Sequence, residues 1–261
     1  MDSRLHIIAG HKQGCSYVKD LYVTPPFRVV SVGQRKQDNK LYQIVISTSP
    51  GILCGDRYQL DIVLEKGAQL QLQSQSYQRL FNMENDAVQQ LTISMEDNTS
   101  FAYVPHPVVP HENSNFKSKA EIRIGTNSQV IISEIITCGR KHYGEFFKLK
   151  RFQNLIEIYH KNKLVLKDNV LIQPNLIPIS TIGNLEEFSH QGTLIFYSTK
   201  ENVDKNLLVD TIHSIIESQN EMEIGISAME DNGFVIRALG HGGEVMYNFF
   251  LKVQGILWEL E

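Results

Sequence analysis

Apolar and polar positions alternate along most of the first 170 residues, and in one stretch the alternation itself repeats. Leu60, Ile62 and Leu64 lead to Gly67 and then to Leu70 and Leu72. Leu91, Ile93 and Met95 lead to Asn98 and then to Phe101 and Tyr103. Ile122 and Ile124 lead to Asn127 and then to Val130 and Ile132. In each unit the turn residue follows the middle strand residue by five positions, and the next inward residue follows the last one by six. Period-two spacing turns one face of each strand to a core, and Gly or Asn accepts the left-handed conformation of a tight turn. A repeat of roughly 30 residues predicts strands stacked in layers, as in a β-solenoid or a wrapped sandwich.

The same alternation predicts strands at Leu5–Ala9, Tyr17–Val23, Phe27–Val32, Leu41–Thr48, Phe146–Phe152, Leu155–Tyr159 and Leu164–Val170. Pro25-Pro26, Pro50-Gly51, Asp97-Asn98 and Lys161-Asn162 punctuate them. Residues 173–190 read as a loop. Beyond it the period changes. A strand at Thr193–Tyr197 precedes a helix over Val203–Ser218, with Leu208, Ile212, Ile215 and Ile216 on one face and His213 at its edge. A hairpin, Glu223–Met229 and Phe234–Leu239, turns at Asp231-Asn232-Gly233, and a last helix starts near Gly243. That helix is apolar on two faces, so it is either enclosed by the chain or covered by a partner. The expectation is a mainly β fold: a β-helix-like scaffold body over residues 1–172, with a small α+β element of two helices over residues 190–261 packed on it as one compact unit.

A net charge of −4 and a pI of about 6.1 argue against a nucleic-acid surface. No apolar run is long enough for a signal peptide or a membrane span, and Cys15, Cys54 and Cys138 fit reduced thiols better than a disulfide framework. These features together predict a cytoplasmic protein.

Four segments can carry chemistry. In Ser49-Pro50-Gly51-Ile52-Leu53-Cys54-Gly55-Asp56, an irregular backbone can aim a carboxylate, although on spacing alone Asp56 reads as a turn cap. Pro105-His106-Pro107-Val108-Val109-Pro110-His111-Glu112 offers two imidazoles to a borderline metal such as nickel or zinc, or two solvated loop histidines. In Gly139-Arg140-Lys141-His142-Tyr143-Gly144-Glu145, Arg140 and Glu145 can bridge a turn. Gly240-His241-Gly242-Gly243 reads as turn glycines. No P-loop and no nucleophile elbow is present. A metal-dependent hydrolase would need Asp56, His106, His111 and Glu145 to converge on one pocket. A secreted β-solenoid binding module would be expected to carry a leader.

Read in order, Thr24-Pro25-Pro26-Phe27, Ser49-Pro50-Gly51 with Gly55-Asp56, the segment Gln73 to Phe81, the proline segment Phe101 to Phe116, and Gly139-Arg140 with Gly144-Glu145-x-Phe147 resemble the urease accessory protein family UreD/UreH. The resemblance covers residues 17–172 best. It implies a β-helix-like body with two helices and a non-enzymatic role: binding apo-urease together with UreF and the GTPase UreG while nickel is delivered to the urease active site. No permanent cofactor is implied, only transient nickel, for which Asp56, Glu145, His106 and His111 are the candidate contacts. Pro50, Gly51, Gly55, Gly139, Arg140 and Gly144 carry the motif. Many relatives have a Gln-Glu pair where this chain has His106-Pro107; if that carboxylate passes metal in them, either His106 or His111 substitutes here or the route differs.

Overall fold

The computed structural model describes residues 1–32, 38–201, 203–217, 219–229 and 233–260. Strands β1 (Asp2–Lys12), β2 (Cys15–Val23), β3 (Phe27–Ser31) and β4 (Leu41–Ser47) lead into three stacked coils. The first coil is β5 (Arg57–Leu64), β6 (Gln69–Ser74) and β7 (Gln78–Leu80). The second is β8 (Ala87–Met95), β9 (Ser100–Tyr103) and β10 (Val108–Pro110). The third is β11 (Asn115–Ile124), β12 (Gln129–Thr137) and an irregular return that reaches β13 (Arg151–His160). Each coil contributes one strand to each of two sheets, and β7 and β10 form a short third strip with β12.

Every strand pairing between coils is parallel, and the register matches the repeat. Ile62 lies opposite Ile93, Ile93 opposite Ile122, and Ile122 opposite Ile158. In the facing sheet Leu70, Phe101 and Val130 share a level, as do Leu72, Tyr103 and Ile132. The two strands of one unit do not pair with each other, because the turn between them is a corner from one sheet to the other. All three corner residues are left-handed, with φ of 82° at Gly67, 60° at Asn98 and 52° at Asn127. The corners are also bonded along the stack: Asn127 Nδ2 donates to Asn98 Oδ1 at 2.6 Å, and Asn98 N to Thr126 O at 2.9 Å.

β14 (Lys163–Ile172) ends the first sheet, whose order is β14-β13-β11-β8-β5-β1-β2. β15 (His190–Ser198) joins the second sheet antiparallel to β12. After α1 (Lys205–Ile216), β16 (Met222–Ala228) and β17 (Gly233–Gly240) complete that sheet in the order β16-β17-β15-β12-β9-β6-β4-β3, and α2 (Gly243–Trp258) follows. The expected turn at Asp231-Asn232 lies outside the described residues, as does Ser218.

One apolar cluster fills the space between the sheets, with Ile62, Phe101, Phe116 and Phe152 fully or almost fully buried. A second lies between the second sheet and the helices, around Ile131, Phe196, Phe234 and Phe250. Burying such side chains stabilises by about 1.5–3 kcal/mol each. Asp204 caps α1 by accepting from Asn206 N and Leu207 N, and Leu208, Ile212 and Ile215 face inward while His213 is exposed, not at the core edge. The two apolar faces of α2 are enclosed by the chain itself: Met246, Phe250, Val253 and Leu257 are fully buried, and Tyr247 and Trp258 nearly so. Among the described residues no helix is long and apolar enough to cross a membrane.

Two expectations need correction. Residues 146–150 are not a strand, because Phe147 has a positive φ of 49° and its N–H turns back to Cys138 O at 2.7 Å. A single strand, β13, replaces the two expected at 146–152 and 155–159. The strips β7 and β10 are three residues each, too short for an alternation to register.

Candidate functional site

The motif segments gather along the third strip. Ile52 N donates to Arg79 O (2.8 Å) and Phe81 N to Ile52 O (3.0 Å), while His111 N donates to Leu80 O (2.8 Å). Gly51 is required by this stacking, since a Cβ there would lie 2.5 Å from Arg79 O and 2.8 Å from the Phe81 ring. Pro50 precedes it on the wall of a cavity. On the other side of Phe81 stands His111, edge-on with ring centroids 4.8 Å apart. Gly139, at φ 109°, passes so close to Pro110 that a Cβ would meet its carbonyl oxygen at 2.7 Å.

Arg140 holds Glu145 with two parallel contacts, Nε to Oε2 at 2.9 Å and Nη2 to Oε1, across the turn Lys141–Tyr143 that Gly144 ends. The carboxylate is buried, and the hydrogen bond from Arg140 keeps its pKa below the ordinary value. His111 is also buried; desolvation first and the Arg140 charge second push its pKa down. Asp56, 5% exposed and beside Gly55, accepts from Leu53 N at 2.9 Å and from the Tyr58 hydroxyl at 3.3 Å. It closes the Leu53–Asp56 turn. Replacing Asp56 with Ala should therefore lower stability by about 1–3 kcal/mol, because Leu53 N and Tyr58 Oη each lose their acceptor. Denaturant midpoints of the two proteins check this.

The four early candidates do not form one centre. His111 and Glu145 are electrostatic neighbours, Asp56 belongs to its own turn, and His106 lies inside the fold. Among the described residues no group of three or more His, Cys, Asp or Glu is arranged to hold a metal ion. The hydrolase arrangement is thus not present among them.

His106 leads to what the alternation alone left out. Its Nδ1 lies 2.9 Å from Ser74 Oγ, its N–H donates to the same oxygen at 2.8 Å, and its ring stacks on Tyr247 with centroids 4.2 Å apart. Burial lowers its pKa. It lines an open-mouthed cavity of about 510 Å³, bounded by Pro50, Gly51, Tyr58 and Tyr77, and also a smaller inner one of about 60 Å³. The two share Gln78, Gln89, Tyr103, Pro105 and His106.

A polar row runs from the open-mouthed cavity into the inner one. Tyr58 lies opposite Gln89, Gln89 opposite Ser118, and Ser118 opposite Asn154, on four neighbouring strands of the first sheet. From the second sheet Glu134 enters at an inward position of β12, two residues past Ile132, and accepts a hydrogen bond from Asn154 Nδ2. Burial pushes the Glu134 carboxyl up to about 8. It borders the lumen, so water-sized space adjoins it although protein surrounds it. Polar groups placed inside an apolar β core cost solvation, and here a whole row of them lines space and not packing. This is a lumen suited to a small hydrated or polar species.

The signal was present in the sequence. Val130, Ile132, Glu134 and Ile136 form one period-two series in which a carboxylate takes an apolar place, as Asn154 does between Phe152 and Ile156.

The family described as UreD urease accessory protein matches residues 1–260. A urease accessory protein UreD of Flavobacterium johnsoniae is 45% identical over 262 residues, spanning 100% of this chain and 94% of the relative. One from Acetivibrio thermocellus is 31% identical over 258 residues, 98% and 97% of the two chains. Another, from Haemophilus influenzae, is 30% identical over 254 residues, 94% of each.

Proposed function

Because the chain belongs to the UreD urease accessory protein family, we propose that it is a non-catalytic maturation scaffold that holds apo-urease together with UreF-like and UreG-like partners and passes nickel towards the urease active site through its lumen. Nickel is cargo in this reading, and no cofactor is retained. The observation that carries it is the polar row Tyr58–Gln89–Ser118–Asn154, faced by Glu134, inside a β-helix core built largely of apolar side chains.

The chemistry of that row suits transit. Amide and hydroxyl oxygens are weak nickel ligands beside clustered imidazoles or thiolates, so an ion can replace part of its hydration shell and still leave. Of the early candidates, His106 lines the passage, where a neutral imidazole offers a single stronger contact. Asp56, His111 and Glu145 stand in turns outside the residues that line it. The free thiols of Cys15, Cys54 and Cys138 fit work in the reducing cytoplasm. GTP hydrolysis falls to a partner.

A strain lacking this chain, grown on limiting nickel, tests the proposal. Urease should assemble but contain at least ~10-fold less nickel, as expected when a dedicated route is lost and only adventitious loading remains. Normal metallation would overturn it.

A further inference from the structure

Next to Glu134, which lines the inner cavity and feels the charges of Asp168 and Arg237, an ion pair joins the two sheets. Glu134, Thr193 and Arg237 lie side by side on β12, β15 and β17. From the opposite sheet Asp168, at an inward position of β14, reaches Arg237: Nη2 bonds Oδ1 and Nη1 lies 3.4 Å from Oδ2. Nη1 also donates to Thr193 Oγ1 at 2.6 Å. Beyond the pair opens an outer cavity of about 370 Å³, lined by Arg237, Gln191, Asn169 and the loop carrying Ile177 and Asn184. The Asp168 side chain is 11% exposed and that of Arg237 45%, so the carboxylate faces the interior and the guanidinium the outer cavity.

Resting on the reading of the lumen as a nickel passage, we propose that the Arg237–Asp168 bridge is the charge-controlled constriction of that passage, crossed by a divalent cation only when it displaces the guanidinium from the carboxylate. Charge bookkeeping supports this. The bridge pairs one positive with one negative group, so it adds no net charge of its own to the constriction. Removing either half of the bridge thus changes the local charge in opposite directions. The outer cavity gives the displaced Arg237 a wet place to go.

The test uses the complex of apo-urease, the accessory partners and this full chain, with nickel per urease followed at limiting nickel. Arg237→Gln frees the carboxylate and should speed transfer ~3–10-fold, while Asp168→Asn strands a cation in the constriction and should slow it by ~10-fold or more. The reversed pair, Asp168→Arg with Arg237→Asp, should return to within ~2-fold of the parent, since the net charge is restored. A bridge that only braces the sheets predicts instead that both single variants slow together and unfold earlier, and that result overturns the inference. So does the absence of any effect from either. The plugging variant Ser118→Phe separates the two layers of argument. Transfer unchanged by the plug would overturn the passage itself, whereas a working plug with single variants of like sign would overturn the constriction alone.

Discussion

Replacing Ser118 with Phe is expected to cut nickel transfer to urease by at least ~10-fold while the protein still folds and binds its partners. Ser118 sits between Gln89 and Asn154 in the polar row and borders the inner cavity of about 60 Å³. An aromatic ring directed there fills the space that hydrated nickel would need and removes a hydroxyl from its path. Cores tolerate a larger side chain at a cost of about 1–3 kcal/mol when it must displace neighbours, and less when it enters space already open. The measurement is nickel per urease active site, read beside the unfolding midpoint and the yield of partner pull-down. Unimpaired metallation with the plug in place would remove the lumen from the delivery route. If folding and pull-down fail as well, Ser118→Leu, which fills less volume, repeats the test.

The second large effect is on stability and has a definite pH window. Burial raises the folded-state pKa of Glu134 from 4.5 to about 8. Between those values the unfolded chain releases the proton that the folded chain keeps. Stability contributed by this site is therefore present below the unfolded value and falls as pH rises towards 8. Glu134→Gln keeps an acceptor for Asn154 and removes the titration. At pH 8 the variant should be more stable by about 1–3 kcal/mol, or roughly 5 °C in unfolding midpoint, with water in the lumen reducing the penalty from that of a dry site. At pH 4 the two proteins should unfold alike. A gap that does not change with pH would mean that Glu134 is already ionised in the fold.

Much of the fold was legible because its scaffold depends on local rules. Leu60, Ile62 and Leu64 alternate because a strand has two faces, and Gly67, Asn98 and Asn127 recur because each corner needs a left-handed residue. Whether a corner joins paired strands or passes between sheets cannot be read from one unit, since the local chemistry is the same. The strip through Leu80 and Pro110 was hidden for another reason: its backbone bonds lie between coils about 30 residues apart. Gly51, Gly139 and the Arg140–Glu145 pair stood out as a motif, and the structure explains them as contacts along that strip. Glu134 and Asp168 each interrupt a period-two apolar series, but only the register shows which polar groups they face across the core. The apolar pattern of α2 was correctly seen as two-sided. Only packing could show that the chain covers both sides.

The coil is also a ruler. Neighbouring strands in a sheet stand about 4.8 Å apart, so the four positions Tyr58, Gln89, Ser118 and Asn154 span about 14 Å along the stack. Each further turn of chain, roughly 30 residues with one inward polar position and one left-handed corner, would lengthen the bore by the same step and leave its chemistry unchanged. In the proposed passage, the distance over which cargo would be shielded from solvent is therefore set by a count of coils, and a protein built this way can be matched to a thicker or thinner assembly by gaining or losing a whole turn.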